Sequence, residues 1–378
     1  FLTEHFSCQI GSLRLVVKPR ASSSGSTAME FLQDSIPKVY VVAAAAALYA
    51  RAASSLLRPG LARLVALLPV LAFLAAAPLA LTFSASVRGI AAFFLAWLGA
   101  FKVGLLAAGR GPLDQSLPVL PFLFTALLPV KLCGAAGAAA ATNNKATSIS
   151  KPLFLVSCAV KVAAIAAVLR LYQFSDRLDL YVRLALYGVH MYCFLDLLLP
   201  CIAAGSRALH MEIEPQFDRP YLASSLRDFW GRRWNLMISA ILRPSVYDPV
   251  RARAGIAAAV LATFLVSGLM HEAMVFYISL CWKPTGEMTA FFLLHGICCV
   301  AEGWCARRWA ANGWPSPPRA VATVLVCIFV LTTSFWLFFP PLLNNGAEEK
   351  LMEEWAAVWV FFMDAGGKIP LYGQRSNN

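Results

Sequence analysis

Long apolar runs alternate with short polar breaks along most of this chain, and a transmembrane helix needs about 20 mainly apolar residues. The pattern therefore predicts an all-α, polytopic transmembrane bundle of about eight or nine spans. The predicted spans are Lys38 to Leu57, Leu61 to Phe83, Gly89 to Ala108, Leu117 to Cys133, Pro152 to Tyr172, Leu178 to Ala204, Ile256 to Leu280, Met288 to Ala306 and Ala320 to Leu342.

Three stretches depart from this pattern. The run Leu117 to Cys133 contains three prolines, which predict a kinked or re-entrant segment. Residues 134–151 are small and polar and are typical of a flexible linker, whereas Trp355 to Phe362 is too short to span and is predicted to lie in the interface. No internal repeat is present in the sequence, so a duplicated transporter architecture has no direct support.

Composition strengthens the membrane prediction. Charged residues make up 14% of the chain, against about 25% in soluble proteins. The net charge of +12 does not indicate nucleic acid, because the basic residues lie mostly at the ends of apolar runs, where they set topology and meet lipid headgroups. The ten cysteines show neither C-x-x-C pairs nor zinc spacing, so we predict no disulfide and no metal site.

Residues 1–28 are serine-rich and contain no apolar core. We interpret them as a non-native or disordered N-terminal extension, with Met29 as a working start, and residues 29–378 as one membrane-embedded domain.

One basic segment lies in the C-terminal half. Residues 225–255 carry a net charge of +4, and the positive-inside rule predicts that they face the cytosol. Within them, Asn235 has an amide suited to hold a carbonyl oxygen, although capping a helix is an equally simple role. Arg232 and Arg233 are candidates for binding the phosphates of a nucleotide cofactor, with lipid headgroups as the default alternative.

In the next run, Ile256 to Leu280, only His271 and Glu272 can carry a charge near neutral pH. An ionisable group at membrane depth is costly and is a functional candidate, and neutral imidazole is well matched to take a proton from an alcohol. Ser267 and Gly268 lie one turn earlier on the same face and would leave room for a substrate. The alternative is a histidine hydrogen-bonded to a neighbouring helix.

His295 and Glu302 lie two turns apart on one face of the following span. They are candidates for lining the same substrate chamber, or for a polar clamp between helices.

Three motifs then carry a resemblance to a known family. Ser-Leu-Arg-Asp-Phe-Trp-Gly-Arg-Arg-Trp-Asn ends at Asn235, Leu-Arg-Pro-x-Val-Tyr ends at Tyr247, and Ser-Gly-Leu-Met-His-Glu ends at Glu272. Together they resemble the plant wax synthase branch of the membrane-bound O-acyltransferase superfamily, most strongly over residues 199–308.

The resemblance implies transfer of an acyl group from acyl-CoA to a long-chain alcohol. It implies His271 as the catalytic base with Asn235 assisting, and CoA contacts from Arg227, Arg232, Arg233 and Trp234. It also implies acyl-CoA as a co-substrate without a tightly bound cofactor, in a multi-pass protein of the endoplasmic reticulum membrane. A sterol O-acyltransferase and a diacylglycerol acetyltransferase are alternatives within the family, and a membrane transporter or channel is the alternative from another class.

Overall fold

The computed structural model describes residues 32–130, 151–172, 174, 177–208, 216–315 and 317–367. The extension and the predicted linker lie outside these residues, apart from Lys151. Within them the regular structure is helical, without strands, which confirms the all-α prediction. The helices are α1 Ile36–Leu56, α2 Leu61–Ala76, α3 Ala85–Ala107, α4 Val119–Leu127, α5 Lys151–Tyr172, α6 Leu180–Ala208, α7 Leu236–Leu242, α8 Asp248–Ser279, α9 Glu287–Ala311, α10 Arg319–Thr333, α11 Pro340–Asn344 and α12 Ala347–Gly367.

Seven helical stretches in the described part of the chain are long and apolar enough to cross a bilayer. This confirms a polytopic membrane bundle, although the sequence had predicted one or two more spans. The difference arises partly at the proline-rich run, where α4 is only nine residues long and covers about 13 Å. The predicted interfacial stretch Trp355 to Phe362 forms part of α12, a helix of 21 residues.

The basic segment is more helical than its sequence suggested. After Asn235 the chain forms α7, a π-helical turn over Arg243–Tyr247 and then α8. Gly255 interrupts α8 with φ of +84°, a conformation that glycine adopts readily, and so separates the arginine-bearing first part from the apolar part that spans. The segment directly after Asn235 is helical because α7 has an apolar face to bury: Met237 and Ile241 pack against α3.

Helix α3 lies beside α8 and runs antiparallel to it. At one end of α3, Arg88 donates hydrogen bonds to the carbonyl oxygens of Tyr277 and Ile278, at the C-terminal end of α8. Toward its other end, Leu98 and Leu105 of α3 pack against α7, which precedes α8. The middle of α3, which is π-helical over Ala92–Gly99, is therefore placed beside the middle of α8.

Helix α12 holds this pair of helices together. Lys350 donates a hydrogen bond of 2.8 Å to the carbonyl oxygen of Ser279, at the end of α8. Glu354, one turn along the same face, accepts hydrogen bonds from the backbone amides of Ala85 and Ser86 at the start of α3. A cation at a helix C-terminus and an anion at an N-terminus both match the helix dipole, so these contacts stabilise the register of α3 against α8.

Helices α8 and α9 approach each other closely at two glycines. A Cβ atom on Gly268 would lie 2.7 Å from the Cα atom of Thr289, and one on Gly296 would lie 3.0 Å from the Cβ atom of Phe264. Small residues at helix interfaces in membranes allow this close approach. The contact brings Phe292 of α9 next to His271 in the spanning part of α8.

Candidate active site

His271 lies in the spanning part of α8 with a defined orientation. Its Nδ1 atom is 2.7 Å from the carbonyl oxygen of Ser267, one turn earlier. A carbonyl can only accept a hydrogen bond, so in the neutral ring Nδ1 carries the proton and Nε2 keeps its lone pair. The described contacts give Nε2 no hydrogen-bond partner, and the side chain is only half-buried. The ring is therefore oriented as a base whose accepting nitrogen remains available.

Three aromatic rings from different parts of the chain surround the imidazole. Trp97 of α3 lies edge-on with a centroid distance of 5.0 Å, and Phe292 of α9 lies at 4.3 Å. Phe338, in the π-helical turn that follows α10, lies at 5.9 Å. These rings restrict the imidazole and give the site an apolar lining, in which charges and dipoles interact more strongly than in water.

Asn235 begins α7 and caps it. Its backbone is left-handed, with φ of +43°, and its side-chain oxygen accepts a hydrogen bond from the amide of Ile238 at 3.4 Å. The capping role considered from the sequence is thus present. The side-chain nitrogen has no hydrogen bond among the described residues, and no described contact joins Asn235 directly to His271. Both residues are linked through α3, since Ile238 belongs to the cluster around Leu98, next to Trp97.

His295 has a different environment from His271. It is fully buried, and Trp230 donates its indole N–H to Nδ1 at 3.0 Å. Since Nδ1 accepts, Nε2 carries the proton and donates to the hydroxyl of Thr333 at 2.9 Å. These are the contacts of a polar clamp, in which His295 joins α9 to α10 and to the segment before α7.

Glu302 holds the start of this segment before α7. Its carboxylate oxygens accept hydrogen bonds from the backbone amides of Leu226 at 3.1 Å and Arg227 at 3.0 Å. Ser267 orients His271, and the space beside Gly268 is filled by Thr289. A role for Ser267, Gly268, His295 and Glu302 in lining a substrate chamber stays a prediction.

The four residues expected to bind CoA divide into two pairs. Arg233 forms an ion pair of 2.7 Å with Asp228, and Trp234 stacks on Phe229 at a centroid distance of 5.4 Å. Partial burial tends to raise the pKa of Asp228, but the hydrogen bond and charge of Arg233, the backbone amide of Ser224 and the charge of Arg232 together hold this pKa below its usual value. Arg227 and Arg232 expose their side chains, so this second pair is free to meet an anionic ligand.

A surface groove of about 430 Å³ runs between the C-terminal end of α3 and the turn that follows α7. Its lining includes Ala100, one turn after Trp97, and an arginine, Arg110. Its lining includes Ala100, Gly104, Ala108, Arg110, Pro244 and Ser245. The small side chains of α3 open this groove on the side of the molecule that carries the basic segment.

Comparison with known proteins identifies the class. The family model described as "Membrane bound O-acyl transferase family" matches residues 213–294, a range that contains both Asn235 and His271. Acyl-CoA--sterol O-acyltransferase 1 of Arabidopsis thaliana is 37% identical over 332 residues, covering 84% of this chain and 93% of the relative. Long-chain-alcohol O-fatty-acyltransferase of Simmondsia chinensis is 38% identical, covering 86% and 94%. Probable long-chain-alcohol O-fatty-acyltransferase 1 of Arabidopsis thaliana is 38% identical, covering 84% and 93%.

The family match and these relatives define a membrane-embedded enzyme, in agreement with the polytopic helical bundle. The chain belongs to the membrane-bound O-acyltransferase family, and it is an acyltransferase. This confirms the resemblance given by the three motifs and decides against the transporter or channel alternative.

Sequence reasoning missed Trp97. Its run was interpreted only as a span, yet tryptophan in membrane proteins is enriched at the two interfaces. A tryptophan near the middle of a span was therefore the sequence signal that could have marked Trp97 as a candidate.

Proposed function

We propose that this enzyme transfers a fatty acyl group from acyl-CoA to the hydroxyl of a long-chain alcohol and forms a wax ester. The observation that carries the proposal is the hydrogen bond from His271 Nδ1 to Ser267, because it leaves Nε2 as a base inside an apolar aromatic site. Two of the relatives described above are named for transfer to long-chain alcohols, at 38% identity.

His271 acts as a general base in direct transfer. Its Nε2 removes the proton from the alcohol while the alcohol oxygen attacks the thioester carbonyl carbon. The thioester is already activated, so no serine or cysteine nucleophile is needed. When the intermediate collapses, the C–S bond breaks and the imidazolium returns the proton to the CoA sulfur. General-base catalysis is worth about 10²–10⁴-fold in rate.

Asn235 assists by donating from its side-chain nitrogen to the acyl carbonyl oxygen. Its oxygen is engaged as the cap of α7, which leaves only the two N–H groups for this purpose. The exposed Arg227 and Arg232 bind CoA phosphates, with Arg233 and Trp234 shaping the surface beside them. The CoA side faces the cytosol in this proposal, in a protein of the endoplasmic reticulum membrane, and the positive charge of the basic segment supports that orientation.

A sterol is the second candidate acceptor, because the sterol O-acyltransferase of Arabidopsis thaliana is 37% identical over a similar share of the chain. The base and the acyl donor would be the same for both acceptors. The difference would lie in the shape of the apolar chamber that receives the hydroxyl-bearing molecule.

The acceptor is tested with labelled acyl-CoA and microsomes that contain the expressed protein. Hexadecanol, a plant sterol and diacylglycerol are supplied separately and in competition, and mock microsomes serve as the blank. We expect labelled wax ester to exceed sterol ester and triacylglycerol at equal acceptor concentration. Labelled sterol ester as the main product would move the assignment to the second candidate, and no ester above the blank would refute the proposed function.

A further inference from the structure

Trp97 is a buried donor without an acceptor. Its side chain is 3% exposed, and its Nε1 atom has no hydrogen-bond partner among the described residues. The indole of Trp230 donates instead to His295, and that of Trp309 donates to the carbonyl oxygen of Pro315 at 2.9 Å. Buried polar groups are nearly always paired, so an unpaired one requires an explanation.

The indole that carries this N–H lies against the candidate base. The ring of Trp97 is edge-on to the ring of His271, with a distance of 5.0 Å between the ring centroids, and it belongs to the same stretch of α3 that packs against α7. An alcohol oxygen that gives its proton to Nε2 must be about 3 Å from that atom. The two ring centroids are close enough for the attacked carbonyl to fit beside both rings, in surroundings where a dipole aimed at a developing charge is most effective.

We propose that Trp97 is a catalytic residue whose indole N–H donates to the carbonyl oxygen of the acyl thioester as that oxygen becomes negative. The inference rests on the proposed function and extends it. An indole nitrogen can only donate a hydrogen bond, which suits it to an oxyanion. Because it cannot accept a proton, it does not compete with His271 for the proton of the alcohol. The groove lined by Ala100, one turn further along α3, is the approach that we assign to the acyl donor.

The step is balanced without any further reagent. The alcohol oxygen forms a bond to the carbonyl carbon, its proton moves to Nε2 of His271, and the carbonyl π electrons move to the oxygen. That oxygen then accepts hydrogen bonds from Trp97 and from the side-chain nitrogen of Asn235. Collapse restores the carbonyl and expels the CoA sulfur, which takes the proton from His271.

The test removes the N–H while keeping an aromatic ring. We expect Trp97→Phe to lower kcat about 100-fold, the usual effect of losing one oxyanion donor, with KM for acyl-CoA within twofold of wild type. The loss should be the same factor for hexadecanol and for a branched alcohol, because the affected oxygen belongs to the acyl donor. Trp336→Phe is the matched control: this tryptophan is 65% exposed at the surface of the bundle, and its replacement should leave kcat unchanged.

A second replacement separates hydrogen bonding from packing. Benzothienylalanine has the shape of tryptophan with sulfur in place of the N–H, so at position 97 it preserves the contact with His271. Our proposal requires this protein to be as slow as Trp97→Phe. Wild-type kcat with benzothienylalanine, or a loss whose size depends on the acceptor, would show that Trp97 only packs and would overturn the inference. An active His271→Ala protein would instead remove His271 as the base, and wild-type protein that forms no ester above the blank would refute the proposed function itself.

Discussion

Two histidines in adjacent spans show how alike residues acquire different roles. His271 and His295 are each a polar residue within an apolar helix. Each contacts the ring of a phenylalanine from α9 at a centroid distance of 4.3 Å. At His295 both ring nitrogens are engaged, by Trp230 and by Thr333. At His271 the described contacts engage only Nδ1, through the carbonyl oxygen of its own helix.

The two histidines differ in how many ring nitrogens remain available for a hydrogen bond to a substrate. A histidine that already accepts at one nitrogen and donates at the other has no atom left for a substrate. A histidine whose single bond sets the tautomer retains a directed lone pair. His295 therefore stabilises the position of the segment before α7, whereas His271 can take part in proton transfer.

The largest effect is expected at His271. Both His271→Ala and His271→Gln should lower ester formation by about 10²–10⁴-fold, since neither replacement can accept and return a proton. Expression should be near normal because, in the described part of the chain, the one hydrogen bond of this histidine is to its own helix. The measurement is labelled ester per unit of protein in microsomes. Ester formation by either variant at the wild-type rate would remove His271 as the base.

A smaller loss is expected at Asn235, where catalysis and capping must be separated. Asn235→Asp keeps the oxygen that caps α7 and tolerates the left-handed backbone, but it removes the N–H donors. We expect kcat to fall about 10²–10³-fold, the effect of losing an oxyanion donor. Asn235→Gly is the matched control: it also tolerates the left-handed backbone, but it removes both the oxygen that caps α7 and the N–H donors. Wild-type kcat in the aspartate variant would reduce Asn235 to a cap.

The smallest effect on turnover is expected at His295. His295→Ala leaves the Trp230 N–H unpaired, which costs about 1–3 kcal/mol of stability, but the surviving protein should turn over within about threefold of wild type. His295→Gln should restore stability because an amide can accept from Trp230 and donate to Thr333. Thermal inactivation in detergent and kcat per folded molecule measure the two properties separately. A loss of kcat in the glutamine variant as large as that of His271→Gln would contradict the comparison.

Much of the architecture was predictable because apolar run length and helix length are set by the same bilayer thickness. The run Ile256 to Leu280 was placed correctly, as the apolar part of α8. The basic segment was predicted less well, since its arginines concealed the apolar face that α7 buries on α3. The motif ending at Asn235 pointed to the family, but its N-capping contact became visible only with the backbone conformation.

By itself the sequence determined the membrane setting, the helical class, the family and a short set of candidates led by His271 and Asn235. Only the tertiary structure decided which nitrogen is available, that Trp230 bonds to a histidine 65 positions away, and that Trp97 lies against the candidate base. The physical reason is that hydropathy and charge act along the chain, where they can be read directly. Hydrogen-bond capacity depends instead on side-chain conformation, as at His271, and on partners from distant helices, as at His295, and only the folded structure shows which atoms remain free.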